Sequence, residues 1–226
     1  MNKLDAFIEL ANLFFKNGFS LYLVGGSVRD YLLKGEIDDL DVCTDATPED
    51  VKSFFDGEAS YAFEKMGAVT LKYEGYRFDL TTLREEGDYV DYRHPSYIHF
   101  VKDLNVDVKR RDFTINALYL DKDMNVIDLV GGQKDLVNKT INIIGDPSVR
   151  LKEDPLRILR ALRFSLDFGF KIEKNLEMAM RDNIELLKKL NVEKIKQELK
   201  KIKAEKDEII ILFDNFNISY LLDVIK

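Results

Sequence analysis

The sequence predicts an α+β protein in two parts. A small mixed sheet with helices occupies residues 1–140, and an all-helical part follows over residues 141–226. Two observations carry this reading. Strand-like and helical runs alternate as far as Asp146-Pro147, and beyond that pair the apolar periodicity is helical. Near the N-terminus a strand, a Gly25-Gly26 turn and a helix follow one another directly, a layout that aims backbone N–H groups at a phosphate. A chain of 226 residues with 46% hydrophobic side chains can core one large domain or two small ones.

Taken in order, residues 3–17 space their apolar side chains as an amphipathic helix that stops at Gly18. Residues 20–24 (SLYLV) read as a buried strand, and residues 27–34 (SVRDYLLK) as a helix closed by Gly35. Residues 40–44 (LDVCT) alternate as a strand, and Thr47-Pro48 opens a helix to about residue 55. Residues 68–73 and 76–83 form a hairpin about Glu74-Gly75. The charged stretch 84–96 is expected as a mobile loop, 112–118 (DFTINAL) as a helix, and 125–129 as an edge strand. Helical periodicity then covers 151–166, 174–187 and 192–203, with a weaker run from Glu208.

Composition excludes several classes. The longest apolar runs fall far short of the roughly 20 residues that span a bilayer, so no membrane partner is expected. The first eleven residues read as a helix rather than a secretory leader, so a cytoplasmic location is expected. With one cysteine, Cys43, and two histidines, His94 and His99, neither a disulfide nor a structural zinc is expected. The net charge of −7 is uneven: residues 1–100 hold 19 acidic and 10 basic side chains, and the remainder 22 and 24. Residues 188–206 carry eight lysines against three glutamates, which fits an RNA-facing surface through Lys196, Lys200 and Lys203 and equally a solvated helix.

The sharpest local feature is Asp38-Asp39-Leu40-Asp41. On a strand, Asp39 and Asp41 share a face and repel unless a cation lies between them. Hard oxygen ligands of this kind favour Mg²⁺ completed by water and substrate phosphates. Asp79, alternating with Phe78 and Leu80, is a third candidate carboxylate, and three acids on adjacent strands suit two Mg²⁺ ions; an exposed edge-strand acid fits the same pattern. In 109–112 (KRRD), Arg111 is placed to bind phosphate or a ribose hydroxyl, and Asp112 to cap a helix or orient the arginine. In 153–164 (EDPLRILRALRF), Asp154, Arg157, Arg160 and Arg163 recur every three residues on one helix face. A carboxylate accepting from an exocyclic amino group and a guanidinium donating to the adjacent ring nitrogen match cytosine and adenine, and mismatch guanine and uracil. Ordinary Asp–Arg pairing within a helix is the alternative.

These strings, VGGSVRDYLLKG, DDLDVCT, TTLRE, DYVDYRHP, RRDFTINAL and EDPLRILRALRF, run in order from about residue 20 to 170. The chain resembles the class II tRNA nucleotidyltransferases, the CCA-adding enzymes, and their bacterial poly(A) polymerase relatives. The resemblance implies a polymerase-beta-type nucleotidyltransferase head and a helical neck that selects the nucleotide. It implies template-independent transfer of CMP and AMP from CTP and ATP to a tRNA 3′ end, with partial CC- or A-addition and poly(A) synthesis as same-class alternatives. A nucleotide-binding module without transfer is the alternative of a different class. By position, Asp39 and Asp41 resemble the metal pair, Gly25, Gly26 and Arg29 the triphosphate contacts, and Arg111, Asp112, Asp154, Arg157, Arg160 and Arg163 nucleotide contacts. Asp79 falls where many relatives carry Glu. Loop 84–96 resembles the flexible loop tied to addition of the final A. Relatives continue into helical body and tail domains that hold tRNA, so weak tRNA affinity is expected of the head and neck strings alone.

Overall fold

The computed structural model describes residues 1–89 and 95–224. The chain divides into two compact units, Met1–Gly87 with Ser96–Leu136, and Asp88–Pro95 with Val137–Lys226.

The first unit starts with helix α1 (Lys3–Lys16), opened by an Asn2–Asp5 capping box. Its apolar stripe, Ala6, Phe7, Leu10 and Phe14, is fully buried. There follow β1 (Leu21–Val24), α2 (Gly26–Lys34), β2 (Asp41–Thr44), α3 (Pro48–Phe54), β3 (Ala59–Phe63), β4 (Ala68–Tyr73) and β5 (Tyr76–Thr82). Next come β6 (Arg84–Glu86), β7 (Ile98–Phe100), α4 (Leu104–Arg110), β8 (Leu118–Leu120), β9 (Val126–Asp128) and α5 (Gly132–Asn138). The predicted Thr47-Pro48 start of α3 is a capping box in which Thr47 and Asp50 bond reciprocally. Seven strands form one mixed sheet in the order β3-β4-β5-β2-β1-β8-β9. Only β2 and β5 pair in parallel, and their register sets Asp41 beside Asp79 and Val42 beside Leu80. Phe7, Phe14, Phe78, Phe113 and Tyr119 are the bulkiest fully buried side chains of this unit.

The second unit contains β10 (Thr140–Ile141), α6 (Pro147–Glu153), α7 (Leu156–Phe168), β11 (Lys171–Ile172), α8 (Lys174–Asn183), α9 (Val192–Leu199) and α10 (Lys206–Asn215). Its core takes Leu151, Ile158, Leu162, Leu176, Met180, Leu187 and Phe213.

Several elements depart from the sequence reading. Residues 112–118 are not a helix: a 3-10 turn (Thr114–Asn116) runs directly into β8, because Phe113, Ile115, Ala117 and Leu118 are all fully buried. An amphipathic helix needs a wet face, which this segment lacks. The span 151–166 is two helices, since Pro155 has no N–H to continue α6 and the Asp154 carboxylate accepts from Leu156 N at 3.0 Å. Part of the expected loop is a two-stranded ribbon, Arg84–Glu86 against Ile98–Phe100. The rest of that loop includes residues 90–94, among them His94, which lie outside the described residues. The helical part also holds a short parallel pair, β10 with β11. The run expected over 174–187 ends as an α-helix at Asn183 and continues as a 3-10 segment, Ile184–Lys189; the run expected to 203 ends at Leu199.

Candidate active site

In the first unit the site is built where β1 turns into α2. Gly25 holds φ +70°, a left-handed conformation that strains any residue with a Cβ, and no side chain caps the start of α2. No side-chain cap thus takes its first-turn N–H groups, which leaves them available to an anion, as a phosphate cradle requires. A Cβ on Gly26 would lie 3.4 Å from the Arg29 guanidinium, so glycine leaves that side chain its place. Arg29 is buried; its Nε donates to Asp30 Oδ1 at 2.9 Å and its Nη1 to Asn116 Oδ1. Ser27 sits between them, its Oγ donating to the Asp39 carbonyl at 2.7 Å and accepting from Asp41 N at 3.0 Å.

Asp39 lies in the bend before β2 and Asp41 is the first residue of the strand, so the two are not strand neighbours of period two. They are nonetheless close enough to repel. Burial, then the Asp39 charge, then the Asp79 charge push the Asp41 carboxyl up to about 6, against the opposing pull of Arg111 and Arg29. A half-buried carboxylate crowded by like charges is an oxygen site suited to a hard cation. Asp79 faces Asp41 across the parallel pair but accepts from Thr70 Oγ1 at 3.0 Å and from Arg77 at 2.9 Å. Among the described residues no group of three or more His, Cys, Asp or Glu side chains gathers about one cation position. Asp39 and Asp41, hard oxygen donors whose charges act on one another, are residues that could hold a divalent ion whose remaining positions water and substrate phosphate would fill.

Arg111 does not point freely outward. Its Nε donates to Asp107 Oδ2 and to Tyr119 Oη, each at 3.0 Å, and its guanidinium lies 5.0 Å from the centre of the Tyr119 ring. Asp107, with a wholly buried side chain, also accepts from Arg110 Nε at 2.8 Å and from Arg84 N at 3.2 Å. Burial alone would lower the Arg111 pKa; the Asp107 carboxylate outweighs it and holds the group charged. Its positive field reaches Asp41 and also the buried Cys43, whose thiol burial pushes up to about 12. Asp112 accepts from Phe113 N at 2.7 Å, so it caps a turn rather than a helix.

In the second unit, Arg157 is buried and donates to Glu153 Oε2 at 3.0 Å and to the Arg150 carbonyl at 2.6 Å, with the Tyr89 ring 5.7 Å away. Its ion-pair partner is Glu153, one residue before the expected Asp154. Arg160 and Arg163 both lie over the Phe164 ring, at 5.9 and 4.2 Å. Arg163 donates to Glu198 Oε1 of α9 at 2.6 Å, a tie between two helices. Burial would raise Glu198, but Arg163, Lys201 and Arg160 hold its carboxyl below the usual range. Lys196 lies 3.5 Å from Glu193, while Lys200 and Lys203 are exposed. Asp107, Tyr119 and Glu198 lie outside the matched strings, whereas Ser27, Asn116 and Glu153 lie inside them at positions that the chemistry of the motifs does not single out.

A mixed sheet that sets an aspartate pair beside a glycine-led helix defines the first unit as a polymerase-beta-type nucleotidyltransferase head. Poly A polymerase head domain is the family model that matches residues 21–142, and the chain belongs to that family. It is 46% identical to the CCA-adding enzyme of Lactobacillus helveticus over 185 residues, which is 82% of this chain and 46% of that protein. It is 44% identical to the CCA-adding enzyme of Staphylococcus haemolyticus over 187 residues, 83% of this chain and 46% of that protein. Among solved structures, the Bacillus stearothermophilus CCA-adding enzyme in complex with CTP superposes with a TM-score of 0.86 at 30% identity, over 96% of this chain and 53% of that one. The Thermotoga maritima CCA-adding enzyme complexed with tRNA gives 0.76 at 27% identity, over 95% and 50%. The chain spans about half the length of the curated relatives it matches.

Proposed function

We propose that the chain transfers CMP and AMP from CTP and ATP to the 3′ end of tRNA, completing or repairing a CCA terminus. The observation that carries this reading is Asp41, crowded by Asp39 and Asp79 beside the uncapped start of α2. In the reaction the tRNA 3′ hydroxyl gives up its proton to solvent as its oxygen bonds to the α-phosphorus, the bond from that phosphorus to the bridging oxygen of the β-phosphate breaks, and pyrophosphate leaves with its electron pair. Divalent ions, two Mg²⁺ in this reading, would lower the pKa of the attacking hydroxyl and offset charge on the leaving pyrophosphate. Asp39 and Asp41 would hold the metal, with Asp79 as the neighbouring carboxylate whose negative charge adds to the field that attracts the cation. Gly25 and Gly26 leave the α2 amides open to the triphosphate, and Arg29 and Arg111 supply fixed positive charge. We assign the helical unit, residues 141–226, to nucleotide selection: Asp154 accepts from the amino group of cytosine or adenine, and Arg157, braced by Glu153, donates to the ring nitrogen. Arg160 and Arg163 support that helix, Asp112 orders the turn after Arg111, and Lys196, Lys200 and Lys203 take the tRNA backbone. With tRNA as the substrate, the setting we propose is the cytoplasm. No helix among the described residues is long and apolar enough to cross a membrane.

The test is incubation with labelled CTP or ATP and tRNAs lacking CCA, CA or the final A, with product length read on a gel. Stepwise extension to CCA and no further supports the reading. Long homopolymeric A tails would assign the chain to poly(A) synthesis, a stop after one type of nucleotide to partial addition, and nucleotide binding without extension to a binding module.

A further inference from the structure

The segment that carries the aspartate pair is not held by secondary structure alone. Residues 36–40 lie outside any helix or strand, and Glu36, Asp38 and Asp39 load them with like charge, joined by Asp41 at the start of β2. Yet four successive carbonyls of this segment are occupied. Lys3 Nζ donates to the carbonyls of Ile37 at 3.0 Å and Asp38 at 2.6 Å. Ser27 Oγ takes the Asp39 carbonyl at 2.7 Å, and Asp79 N takes that of Leu40 at 3.0 Å. Lys3 comes from the first turn of α1, where a cation opposes the helix dipole, so helix stability gives no reason for lysine there. The helix itself is a rigid mount, locked into the core by Ala6, Phe7, Leu10 and Phe14.

We propose that Lys3 is a positioning residue for the nucleotidyl-transfer centre, and that with Ser27 it latches residues 37–41 so that Asp39 and Asp41 stay close enough to share a cation. This rests on the assignment of Asp39 and Asp41 as the metal pair. Lys3 touches backbone carbonyls only and acts through the carboxylates that follow them. Coulomb's law alone gives the opposite expectation: deleting a cation beside several acids tightens binding of a divalent ion. A latch gives weaker binding, because the freed segment lets the two carboxylates move apart.

The experiment is a Mn²⁺ titration of the metal-free chain followed by electron paramagnetic resonance, with no nucleotide present. Lys3→Met is expected to weaken Mn²⁺ binding roughly tenfold, the size of one charge-assisted hydrogen bond, and Ser27→Ala to act in the same direction. Lys3→Arg, which keeps both the charge and the donors, is expected to restore most of it. In transfer assays Lys3→Met should lower kcat, which added Mn²⁺ recovers, while KM for CTP stays put. Unchanged or tighter Mn²⁺ binding in Lys3→Met overturns the latch. If Asp39→Ala and Asp41→Ala bind Mn²⁺ as the parent chain does, the latch falls together with the metal assignment. If the parent chain shows no transfer while the Mn²⁺ affinities separate as stated, the transfer reading falls and the latch stands.

Discussion

Replacing Asp41 by Asn should abolish nucleotidyl transfer and at the same time make the metal-free protein more stable. The folded state raises the Asp41 pKa from 3.8 to about 6 by burial and by repulsion from Asp39 and Asp79. At 1.36 kcal/mol per unit that shift is worth about 3 kcal/mol. The sign follows from proton counting. Between the two values the folded state keeps a proton that the unfolded chain has lost, so stability falls as pH rises through that window and stays reduced above it. Asn carries no charge at any pH and escapes the penalty. In EDTA near pH 7.5, Asp41→Asn should therefore unfold roughly 6–12 °C above the parent chain, using about 2–4 °C per kcal/mol for a chain of this size. Near pH 4.5 the difference should shrink to about a third of that, roughly 1 kcal/mol, because the folded parent is then largely protonated while the unfolded chain has already lost most of its proton; it should vanish only below the ordinary value of 3.8. Mg²⁺ should raise the parent midpoint and leave the variant where it was. Thermal melts followed by circular dichroism at the two pH values decide the matter. Equal differences at both, or a variant less stable near pH 7.5, would refute the crowded-carboxylate account.

Asp39→Ala and Asp41→Ala should each incorporate no label from CTP or ATP with Mg²⁺ or Mn²⁺ while keeping a parent-like circular dichroism spectrum. Asp154→Ala and Arg157→Ala should lose about one to two orders of magnitude of discrimination for CTP and ATP over UTP and GTP, measured as kcat/KM for all four; equal slowing of all four would make the pair a helix cap braced by Glu153. Arg163→Met strips the buried Glu198 of its helix-to-helix partner and should cost about 1–3 kcal/mol in urea unfolding near neutral pH. Because the Glu198 pKa is held low, that cost should fade as pH drops below the ordinary glutamate value of 4.5, where the parent also loses the pair. Glu at Lys196, Lys200 and Lys203 together should weaken tRNA binding and flatten its dependence on salt, read by filter binding across a salt series.

Local order was legible in the sequence wherever a period or a cap decided it. Helix α1, the Gly25-Gly26 turn, the Thr47-Pro48 start of α3 and the Glu74-Gly75 hairpin all fall where spacing and turn chemistry put them. What escaped was set by burial from outside the segment. Residues 112–118 have helix-compatible spacing, but the place in the sheet between β1 and β9 claims Leu118–Leu120, and the turn before it is buried with them. Asp154 and Arg157 are spaced as if one turn apart on a single helix, yet the backbone breaks between α6 and α7, and Arg157 pairs with Glu153 instead. Asp39 and Asp41 were visible as a pair, whereas the partners that fix them come from other elements: Lys3 lies outside every matched string, and Ser27 lies in one with nothing in its spacing to link it to residue 39.

The single parallel pairing in the sheet has a consequence for how the head forms. In an antiparallel hairpin, neighbours in space are neighbours in synthesis; β5 instead reaches β2 only after the chain has traversed α3, β3 and β4. Asp79 N cannot close on the Leu40 carbonyl, nor Asp79 crowd Asp41, until that whole excursion has folded. Loop-closure entropy makes such a contact slow to form. A nascent head would thus display the aspartate pair early as two solvated, weakly coupled acids, and acquire a cation site only when β5 docks. Metal affinity would then report the docking of β5 against β2, which a pulse of Mn²⁺ during refolding would mark as a late step.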